Sequence, residues 1–293
     1  MFSNSNRGYE IAKMNPLQMP KEQIKKNSPI PAEILPDNDS LIARFADDLL
    51  QEYLAAKAAG RKRVIFIIPV GPVGQYGLLA DRCNQQRISL RDLVVINMDE
   101  YLTADGRDFI PMSDPLSFRR HMEDHFYKRL NSQLAPSPEH RIFPDPRNLA
   151  LVPSVLERFG GCDACFGGIG ITGHVAFNDP PEPGENMTLE GFKALSTRVV
   201  RLSRETRLIN SVTTCRGNID RIPEWAVTVG LKEILDSRKV RIYLNRTWQS
   251  AIVRKILFGP ITPAVPASLL REHADVRFTI TDEVAELPEP ELK

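Results

Sequence analysis

The strongest constraint on the fold is a series of short apolar runs, each followed by a turn and a helical pattern. Residues 64–68 are five apolar residues in succession, and residues 93–98 and 164–168 repeat this pattern. Runs of this length without polar alternation are typical of strands buried on both faces of a parallel sheet. Because such runs alternate with helical segments, we predict an α/β fold with a doubly wound, mainly parallel sheet and helices on both faces. Further strands are predicted at 199–202, 225–229, 240–244 and 276–280, the last of them closing the sheet.

Helical patterns occupy the segments between these runs. Apolar residues recur at helical spacing after Asp39 and Ser40, either of which suits a helix cap, and the helix is predicted to end near Gly60. Residues 1–30 are polar and show no sustained period, so we predict an extended N-terminal arm followed by one α/β domain over 31–293. Further helices are predicted at 75–84, 113–126, 153–159, 205–213, 231–235, 248–257 and 266–270.

The charge balance argues against a polyanionic partner. The 293 residues include 38 basic and 37 acidic side chains, which gives a formal net charge of +1. A chain without an excess of one sign has no long-range attraction for nucleic acid or for an anionic membrane surface. No apolar run reaches membrane-spanning length, and the N-terminus lacks the apolar core of a signal peptide. We therefore expect a cytoplasmic enzyme acting on a small molecule, with neither nucleic acid nor a membrane as partner.

Two pairs of possible metal ligands are interpreted as structural. Cys162 and Cys165 form a single Cys-x-x-Cys, and His121 and His125 lie four residues apart in a predicted helix. Neither pair has the further ligands that complete a zinc site. The cysteines flank the start of an apolar strand, where free thiols pack as small apolar groups. No metal site is predicted.

The best candidate for a functional site is the glycine-rich stretch 166–180, FGGIGITGHVAFNDP, which follows the third apolar run. Its glycines, including Gly168 and Gly170, interrupt regular structure and allow backbone to lie close to a ligand. His174 follows the glycines, and Asp179 lies five residues further on. Open α/β sheets build active sites from such loops at strand ends. The alternative is a tight glycine turn that carries a surface histidine.

Two other strand ends carry candidate groups. Asp99 and Glu100 come directly after an apolar run, where carboxylates are unfavourable unless they reach water or perform chemistry. They are either catalytic or a pair of solvated loop acids. The turn 69–74 precedes a helix and could offer amide N–H groups to an anion, although it is neither a Walker loop nor a dinucleotide fingerprint.

Six segments in sequence order resemble the motifs of one known family. The segments are 97–101 (NMDEY), 113–118 (SDPLSF), 167–180 (GGIGITGHVAFNDP), 205–207 (ETR), 226–230 (AVTVG) and 265–270 (VPASLL). Over about residues 34–286 the chain resembles the glucosamine-6-phosphate deaminase/isomerase family, which is akin to the 6-phosphogluconolactonases. This resemblance implies a Rossmann-like α/β fold of the deaminase/isomerase type.

The resemblance implies a chemistry in carbohydrate metabolism. Family members open the ring of an aminosugar phosphate, move a proton between C2 and C1, and release ammonia to leave a ketose phosphate. Asp99 matches the aspartate that shuttles this proton, and His174 matches the histidine that helps to open the ring. Asp179 stands where the family has a glutamate that supports the histidine, and Thr172 stands where it has an aspartate. The resemblance requires no metal and no organic cofactor.

The same resemblance assigns residues to substrate binding and shows departures there. The phosphate loop of the family carries threonines, whereas this chain has Val70, Gly71 and Val73 in that loop, together with a proline. A lysine expected late in the pattern falls at Gln249. Each such loss removes a hydrogen-bond donor or a charge-assisted contact to a phosphate. We expect the phosphate site to be altered.

Two further departures concern arginines. An arginine expected after Ser211 is replaced by Val212, and the effector site of the family is not recognisable around 198–201. Arg246 or Arg216 could hold an anionic group instead, or both could be ordinary surface arginines.

Alternatives to a deaminase remain open at the level of sequence. The loop around His174 is shared with lactone hydrolases, which would activate water in place of a sugar hydroxyl. The chain could also be an isomerase of a sugar that lacks phosphate, or a sugar-binding relative without catalysis. A homo-oligomer is possible, with contacts from the N-terminal arm.

Overall fold

The computed structural model describes residues 15–290 of the chain. Seven strands form one sheet in the order β1-β10-β9-β6-β2-β3-β5, and every neighbouring pair is parallel. The predicted doubly wound, mainly parallel sheet is therefore confirmed. The strands are Ala32–Leu35 (β1), Val64–Ile68 (β2), Leu93–Asn97 (β3), Asp99–Tyr101 (β4), Arg141–Ile142 (β5), Ala164–Gly167 (β6), Arg198–Arg201 (β7), Trp225–Thr228 (β8), Val240–Leu244 (β9) and Val276–Thr281 (β10).

Helices cover both faces of this sheet. A π-helical turn at Glu123–Tyr127 extends the helix Phe118–Met122, and a 3-10 segment at Pro266–Glu272 precedes β10. Within residues 15–290, no helix combines the length and hydropathy needed to cross a bilayer. The helices are Lys21–Asn27 (α1), Asn38–Ala58 (α2), Gln75–Gln86 (α3), Phe118–Met122 (α4), Leu151–Phe159 (α5), Leu189–Lys193 (α6), Arg204–Thr214 (α7), Leu231–Leu235 (α8), Ser250–Phe258 (α9) and Asp282–Ala285 (α10).

Strand β2 shows why the apolar runs identified the sheet. All five of its residues are buried, and they divide between two hydrophobic clusters. Ile65 and Ile67 belong to the cluster that α9 covers, whereas Phe66 and Ile68 belong to the cluster that α2 and α3 cover. Since successive side chains point to opposite faces, a strand covered on both sides needs an unbroken apolar run.

A second, three-stranded antiparallel sheet was not predicted. Its order is β4-β8-β7, so the strands expected at 199–202 and 225–229 lie outside the main sheet. The main sheet also does not end at β10, because β1 pairs with β10 and forms the edge. The second sheet begins with Asp99, one residue after Met98, and this places the candidate carboxylates inside a strand.

Residues 15–30 of the predicted N-terminal arm are ordered against the domain, with helical rather than extended backbone over much of their length. They form a 3-10 turn and α1, and they bury Met19, Ile24 and Ile30. The buried guanidinium of Arg254 fixes this segment by donating to the carbonyl oxygen of Met19 at 2.8 Å. The same guanidinium donates to the carbonyl oxygens of Ser250, Ala285 and Glu286. The part of the predicted arm before residue 15 lies outside the described residues.

Candidate active site

The reversal of strand order puts the candidate ligand crevice between the carboxyl ends of β2 and β6. These two strands are neighbours, but the chain continues from β2 to β3 and β5 on one side and from β6 to β9 and β10 on the other. Open α/β sheets bind ligands at such a reversal of strand order. The turn 69–74 after β2 and the glycine-rich loop after β6 therefore border the crevice.

The glycines of the loop after β6 shape the place of His174. A Cβ atom on Gly170 would collide with the imidazole ring of His174, so only glycine leaves room for the ring in this position. Gly173 has a φ of 87°, which favours glycine, and its carbonyl oxygen accepts a hydrogen bond from Ala267 N at 2.8 Å. Gly168 is partly exposed beside the Tyr243 carbonyl. Backbone contacts from Gly168 and Gly170 to a substrate stay a prediction.

A compact hydrogen-bonded group surrounds the Nδ1 atom of His174. Nδ1 lies 2.7 Å from Asp179 Oδ1, 2.9 Å from Thr172 Oγ1 and 3.2 Å from Thr206 Oγ1. Both threonine hydroxyls also donate to Asp179 Oδ1 at 2.8 Å, and Ser203 N donates to Asp179 Oδ2 at 3.2 Å. The structure thus brings together three residues predicted from the sequence, Thr172, His174 and Asp179. They form one half of the candidate site, and Asp99 on β4 belongs to the other half.

The charge of Asp179 determines which nitrogen of His174 is free. Burial alone would raise the pKa of Asp179, but the hydrogen bond and charge of His174, with the hydroxyls of Thr172 and Thr206, hold that pKa below its ordinary value. An ionised carboxylate can only accept, so we assign the proton of the neutral ring to Nδ1. Nε2 is then an acceptor that can take a proton from a substrate.

Asp99 stands in the opposite kind of environment. The residue is only 9% exposed, and no donor among residues 15–290 forms a hydrogen bond with its carboxylate. Burial, reinforced by the negative charge of Glu100, raises the pKa of Asp99 to about 8. A carboxylate with such a pKa is a much stronger base than one in water, which suits the removal of a proton from carbon.

Glu100, the next residue, is a fully buried acid whose oxygens are all bonded. It accepts from the N–H groups of Tyr101, Phe118 and Arg119, from the Ser117 hydroxyl, and from Arg119 Nε at 3.2 Å. The predicted alternatives for the Asp99–Glu100 pair were catalysis or solvation. Glu100 does neither, because it fixes the start of α4 to β4.

The second sheet joins the two halves of the site. Thr228 is the partner of Asp99 in the β4–β8 register, and its hydroxyl accepts a hydrogen bond from Phe177 N at 3.0 Å. Asn178, next to Asp179, donates from Nδ2 to the carbonyl oxygen of Val229 at 3.0 Å. The loop that carries His174 is therefore tied to the strand opposite Asp99.

Aromatic rings fill the space between these halves. The ring of Phe177 lies 5.6 Å from that of Tyr101 and 6.2 Å from that of His174, measured between centroids. Tyr101 is two residues beyond Asp99 on the same strand, so both side chains leave the same face. Tyr101 and Phe177 thus form an apolar wall on the face of β4 that carries Asp99, where burial is the main cause of the raised pKa of Asp99.

The predicted phosphate loop borders the crevice but offers few side-chain donors. Val73 is 54% exposed, Gly71 is exposed, and the carbonyl oxygen of Val70 accepts from Gln75 Nε2 at 3.2 Å. The amide of Gln75, the first residue of α3, is thus directed at the backbone of the turn. Contacts of Val70, Gly71 and Val73 with a substrate stay a prediction.

Gln249 and Arg246 lie after β9, the neighbour of β6. Gln249 is 5% exposed; its Nε2 donates to the Ile169 carbonyl at 2.7 Å, and its Oε1 accepts from Arg246 N at 2.9 Å. One end of its amide thus braces the glycine-rich loop and the other the backbone of Arg246. Contact of Gln249 with the substrate stays a prediction. Arg246 is exposed, and its guanidinium has no ion pair or hydrogen bond among the described residues.

Possible metal ligands are sparse in the described part of the chain. Residues 15–290 contain no group of three or more His, Cys, Asp or Glu side chains placed to hold a metal ion. The rings of His121 and His125 lie 4.4 Å apart on α4 and its π-helical extension. Cys162 and Cys165 are free and buried, and burial raises the pKa of Cys162 to about 11.

Sequence reasoning missed the contribution of α7. Thr206 is completely buried and contacts both His174 and Asp179, although the sequence had marked it only as part of a family-like ETR segment. Arg198 was likewise missed; its Nη1 donates to Asn178 Oδ1 at 2.7 Å and so fixes the residue before Asp179. The available signal for Thr206 in the sequence was a threonine in the first turn of a predicted helix, three residues after the Ser203 cap.

Comparison with curated proteins returned glucosamine-6-phosphate deaminases. One from Porphyromonas gingivalis is 29% identical over 258 residues, which is 86% of this chain and 91% of the relative. Glucosamine-6-phosphate deaminase 1 from Bacillus subtilis is 30% identical over 224 residues, which is 74% of this chain and 83% of the relative. No family model matches the chain.

Solved structures share the fold. A monomeric glucosamine-6-phosphate deaminase superposes with a TM-score of 0.71 at 25% identity and covers 87% of this chain and 99% of its own. The 6-phosphogluconolactonase of Trypanosoma brucei has a TM-score of 0.63 at 16% identity, with 87% of this chain and 97% of its own covered, which shows a common fold.

Proposed function

The chain belongs to the glucosamine-6-phosphate deaminase family, and from this premise we propose that it is an aldose–ketose isomerase and deaminase. Its substrate is an aminosugar, as glucosamine 6-phosphate is for the relatives that bear that name. The products are a ketose and ammonia. The anionic end of the substrate is held in an altered phosphate site.

In the first step His174 opens the sugar ring. Its free Nε2 accepts the proton of the anomeric hydroxyl and delivers it to the ring oxygen, and the bond between C1 and the ring oxygen breaks to give the aldehyde. Asp179 and the hydroxyl of Thr172 hold the ring of His174 in the required orientation. The carboxylate also stabilises the transient imidazolium.

In the second step Asp99 moves a proton from C2 to C1. The electron pair of the C2–H bond forms the C1–C2 double bond, while the aldehyde oxygen gains the proton that the ammonium group of the substrate loses. Asp99 then returns its proton to C1, which leaves an iminium at C2. Water adds there, and ammonia leaves to give the ketose.

One comparison carries this proposal: two buried acids, linked through β8 and the loop that carries His174, have pKa values shifted in opposite directions. The acid with a raised pKa accepts no hydrogen bond from the described residues, and we assign it the role of base. The acid with a lowered pKa stays ionised and orients an imidazole. Paired groups whose environments push their pKa values apart are the signature of acid–base catalysis.

The residues that bind the substrate are assigned from their positions around the candidate site. We propose that the exposed guanidinium of Arg246 contacts the anionic group, and that backbone of Gly71, Gly168 and Gly170 contacts sugar oxygens. Arg246 suits this role because it follows β9, next to β6, and its guanidinium has no partner among the described residues.

Proton exchange tests the proposal directly. The protein is incubated with glucosamine 6-phosphate in deuterated water, and NMR follows loss of the C2 proton signal while an enzymatic assay follows ammonia. We expect ammonia and ketose in equal amounts. Glucosamine without phosphate is the matched substrate that measures what the altered phosphate site contributes.

Two outcomes would overturn the proposal. Acid release from a sugar lactone, without exchange at C2 of any aminosugar, would assign the chain to lactone hydrolysis. Thermal stabilisation by sugars with no turnover of any of them would make it a sugar-binding relative.

We also propose that the protein works in the cytoplasm on small molecules and binds no nucleic acid. The near-neutral charge of +1 argues against binding of nucleic acid. Fractionation of cells that produce the protein tests the compartment. A homo-oligomer stays a prediction, which the solution mass tests, and the structural relative described as monomeric is the natural reference for it.

A further inference from the structure

One face of helix α7 contacts both halves of the site. Thr206 and Asn210 lie four residues apart in Arg204–Thr214, so they stand one turn apart on the same side. Thr206 reaches the half built on the glycine-rich loop, and Asn210 reaches the half built on β4. No other helix of residues 15–290 forms side-chain hydrogen bonds with residues of both halves.

The first turn of α7 bonds to both oxygens of Asp179. The hydroxyl of Thr206 donates to Oδ1 at 2.8 Å, and the backbone N–H of Ser203, which caps the helix, donates to Oδ2 at 3.2 Å. Thr206 Oγ1 is also 3.2 Å from His174 Nδ1. Since Thr206 is 0% exposed, no water can replace its hydroxyl without rearrangement.

The second turn of α7 fixes the aromatic side chain next to the proton shuttle. Asn210 Nδ2 donates to the Tyr101 hydroxyl at 3.0 Å. Tyr101 is 3% exposed and shares a strand face with Asp99. After burial, the charge of Asp99 is the next contribution to the raised pKa of Tyr101, so the two groups are within electrostatic reach.

We propose that Thr206 and Asn210 are positioning residues, through which α7 sets the geometry of the two halves. Thr206 helps to hold the proton of His174 on Nδ1, which leaves Nε2 free for the substrate. Asn210 holds Tyr101, which forms part of the wall that desolvates Asp99. Neither residue touches the reacting atoms. The inference rests on the proposed function for its kinetic tests and is independent of it for its spectroscopic test.

The Thr206 arm is tested by Thr206→Val and Thr206→Ser. Valine keeps the shape and removes the hydroxyl, so we expect kcat for ammonia release to fall about 10- to 100-fold with little change in KM. Serine restores the hydroxyl, and its kcat should lie within about threefold of the parent. Thr213→Val is the matched control, because Thr213 is exposed on the same helix and bonds only to the backbone carbonyls of Ile209 and Asn210.

Nitrogen-15 NMR of His174 separates positioning from simple destabilisation. In the parent and in Thr213→Val we expect the pattern of a neutral ring protonated at Nδ1. In Thr206→Val the population protonated at Nε2 should grow, at a temperature where thermal melting shows the protein folded. If the ring pattern and kcat of Thr206→Val match those of the parent, the Thr206 arm is refuted.

The Asn210 arm has its own readout. Asn210→Ala should slow C2 proton exchange about 10-fold and leave the His174 nitrogen pattern unchanged. An unchanged exchange rate, or a changed His174 pattern, would overturn it. If the parent protein turns over no aminosugar, the proposed function fails, whereas the nitrogen pattern of His174 in Thr206→Val still decides the first arm.

Discussion

The surroundings of Asp99 and Asp179 differ in almost every physical respect, although we propose that the two acids serve one active site. Asp179 accepts hydrogen bonds from His174, Thr172, Thr206 and a backbone amide, and its pKa is lowered despite burial. The carboxylate of Asp99 accepts none from the described residues, and its pKa is raised to about 8. Both are aspartates in a buried setting, so their neighbours decide the sign of the shift. Asp179 has hydrogen-bond donors and the charge of His174, whereas Asp99 has no donor and lies near the negative charge of Glu100.

On the proposed function, the difference shows how a site can separate an orienting acid from a reacting one. Donors keep a carboxylate ionised but occupy its lone pairs, which makes it a good anchor and a poor base. A carboxylate without donors is free to take a proton from carbon. Glu100 extends the comparison, because it is bonded on both oxygens and its charge raises the pKa of its neighbour.

The largest expected effect comes from Asp99→Asn, which removes the base and keeps the shape. Exchange of the C2 proton and ammonia release should fall about 10³- to 10⁴-fold, because no other group is placed to take this proton. Deuterium exchange by NMR measures the first and a coupled assay the second. Normal exchange in a folded Asp99→Asn variant would contradict the role of Asp99.

Asp179→Asn should cost about 10²- to 10³-fold in kcat, through loss of the fixed tautomer of His174. The amide can donate to Nδ1, which favours a ring protonated at Nε2, the wrong nitrogen for the first step. The rate of ring opening, measured with a freshly dissolved single anomer of the substrate, should fall more than the rate of C2 exchange from open-chain substrate. Equal losses in the two rates would argue that the halves are not separate.

Stability should respond to pH in opposite directions at the two sites. The raised pKa of Asp99 means that the folded state holds a proton between about pH 4 and pH 8 that the unfolded state has lost, so this group lowers stability as pH rises through that range. Asp99→Asn should therefore stabilise the fold at pH 9, by about 2–3 kcal/mol, and less at pH 5. Asp179 stabilises at neutral pH and loses this effect as the medium becomes acidic, so Asp179→Asn should destabilise at pH 7. Urea unfolding of both variants at three pH values measures these changes.

The pH dependence of the parent enzyme sharpens the comparison further. Because Asp99 must lose its proton to act as a base, kcat/KM should rise about tenfold between pH 7 and pH 9, with a midpoint near the pKa of about 8. A profile that is already flat above pH 5 would mean that Asp99 behaves as an ordinary solvated acid.

The smallest effect is expected from Thr172→Val. Thr172 and Thr206 both donate to Asp179 Oδ1 at 2.8 Å, but Thr172 is partly exposed whereas Thr206 is completely buried. Water can therefore take the place of the Thr172 hydroxyl but not of the Thr206 hydroxyl. We expect a threefold to tenfold loss in kcat, about the effect of one hydrogen bond to a charged group that is partly replaced. A loss as large as that of Asp179→Asn would show that Thr172 alone orients the ring.

Sequence patterns located the central sheet well because its strands are buried on both faces. The runs at 64–68, 93–98 and 164–168 each became a parallel strand. Strand β4 was not predicted because its sequence, Asp-Glu-Tyr, is not an apolar run. Its buried Glu100 is stabilised by donors such as Ser117 that are distant in sequence. Helix α1 escaped because seven residues with one buried isoleucine carry no measurable period.

The candidate site shows the same difference between local patterns, which the sequence reveals, and contacts between distant residues, which it does not. Residues near one another in the chain, such as Thr172, His174 and Asp179, were found as a group, and the resemblance supplied Asp99. Thr206 was not identified because it approaches from a helix more than 25 residues later, and only the fold shows that contact. The backbone contacts of Gln249 were not predicted, because an amide can serve a substrate or a backbone equally well and the sequence does not show which.

Arg254 has a practical consequence for handling the protein. Its guanidinium binds carbonyl groups of Met19 near one end of the described chain and of Ala285 and Glu286 near the other. The two ends therefore meet on one patch of the molecule, far from each other in number and close in space. A short peptide joining them, with new termini opened in the exposed turn around Gly184, would give a circularly permuted enzyme whose interior is untouched.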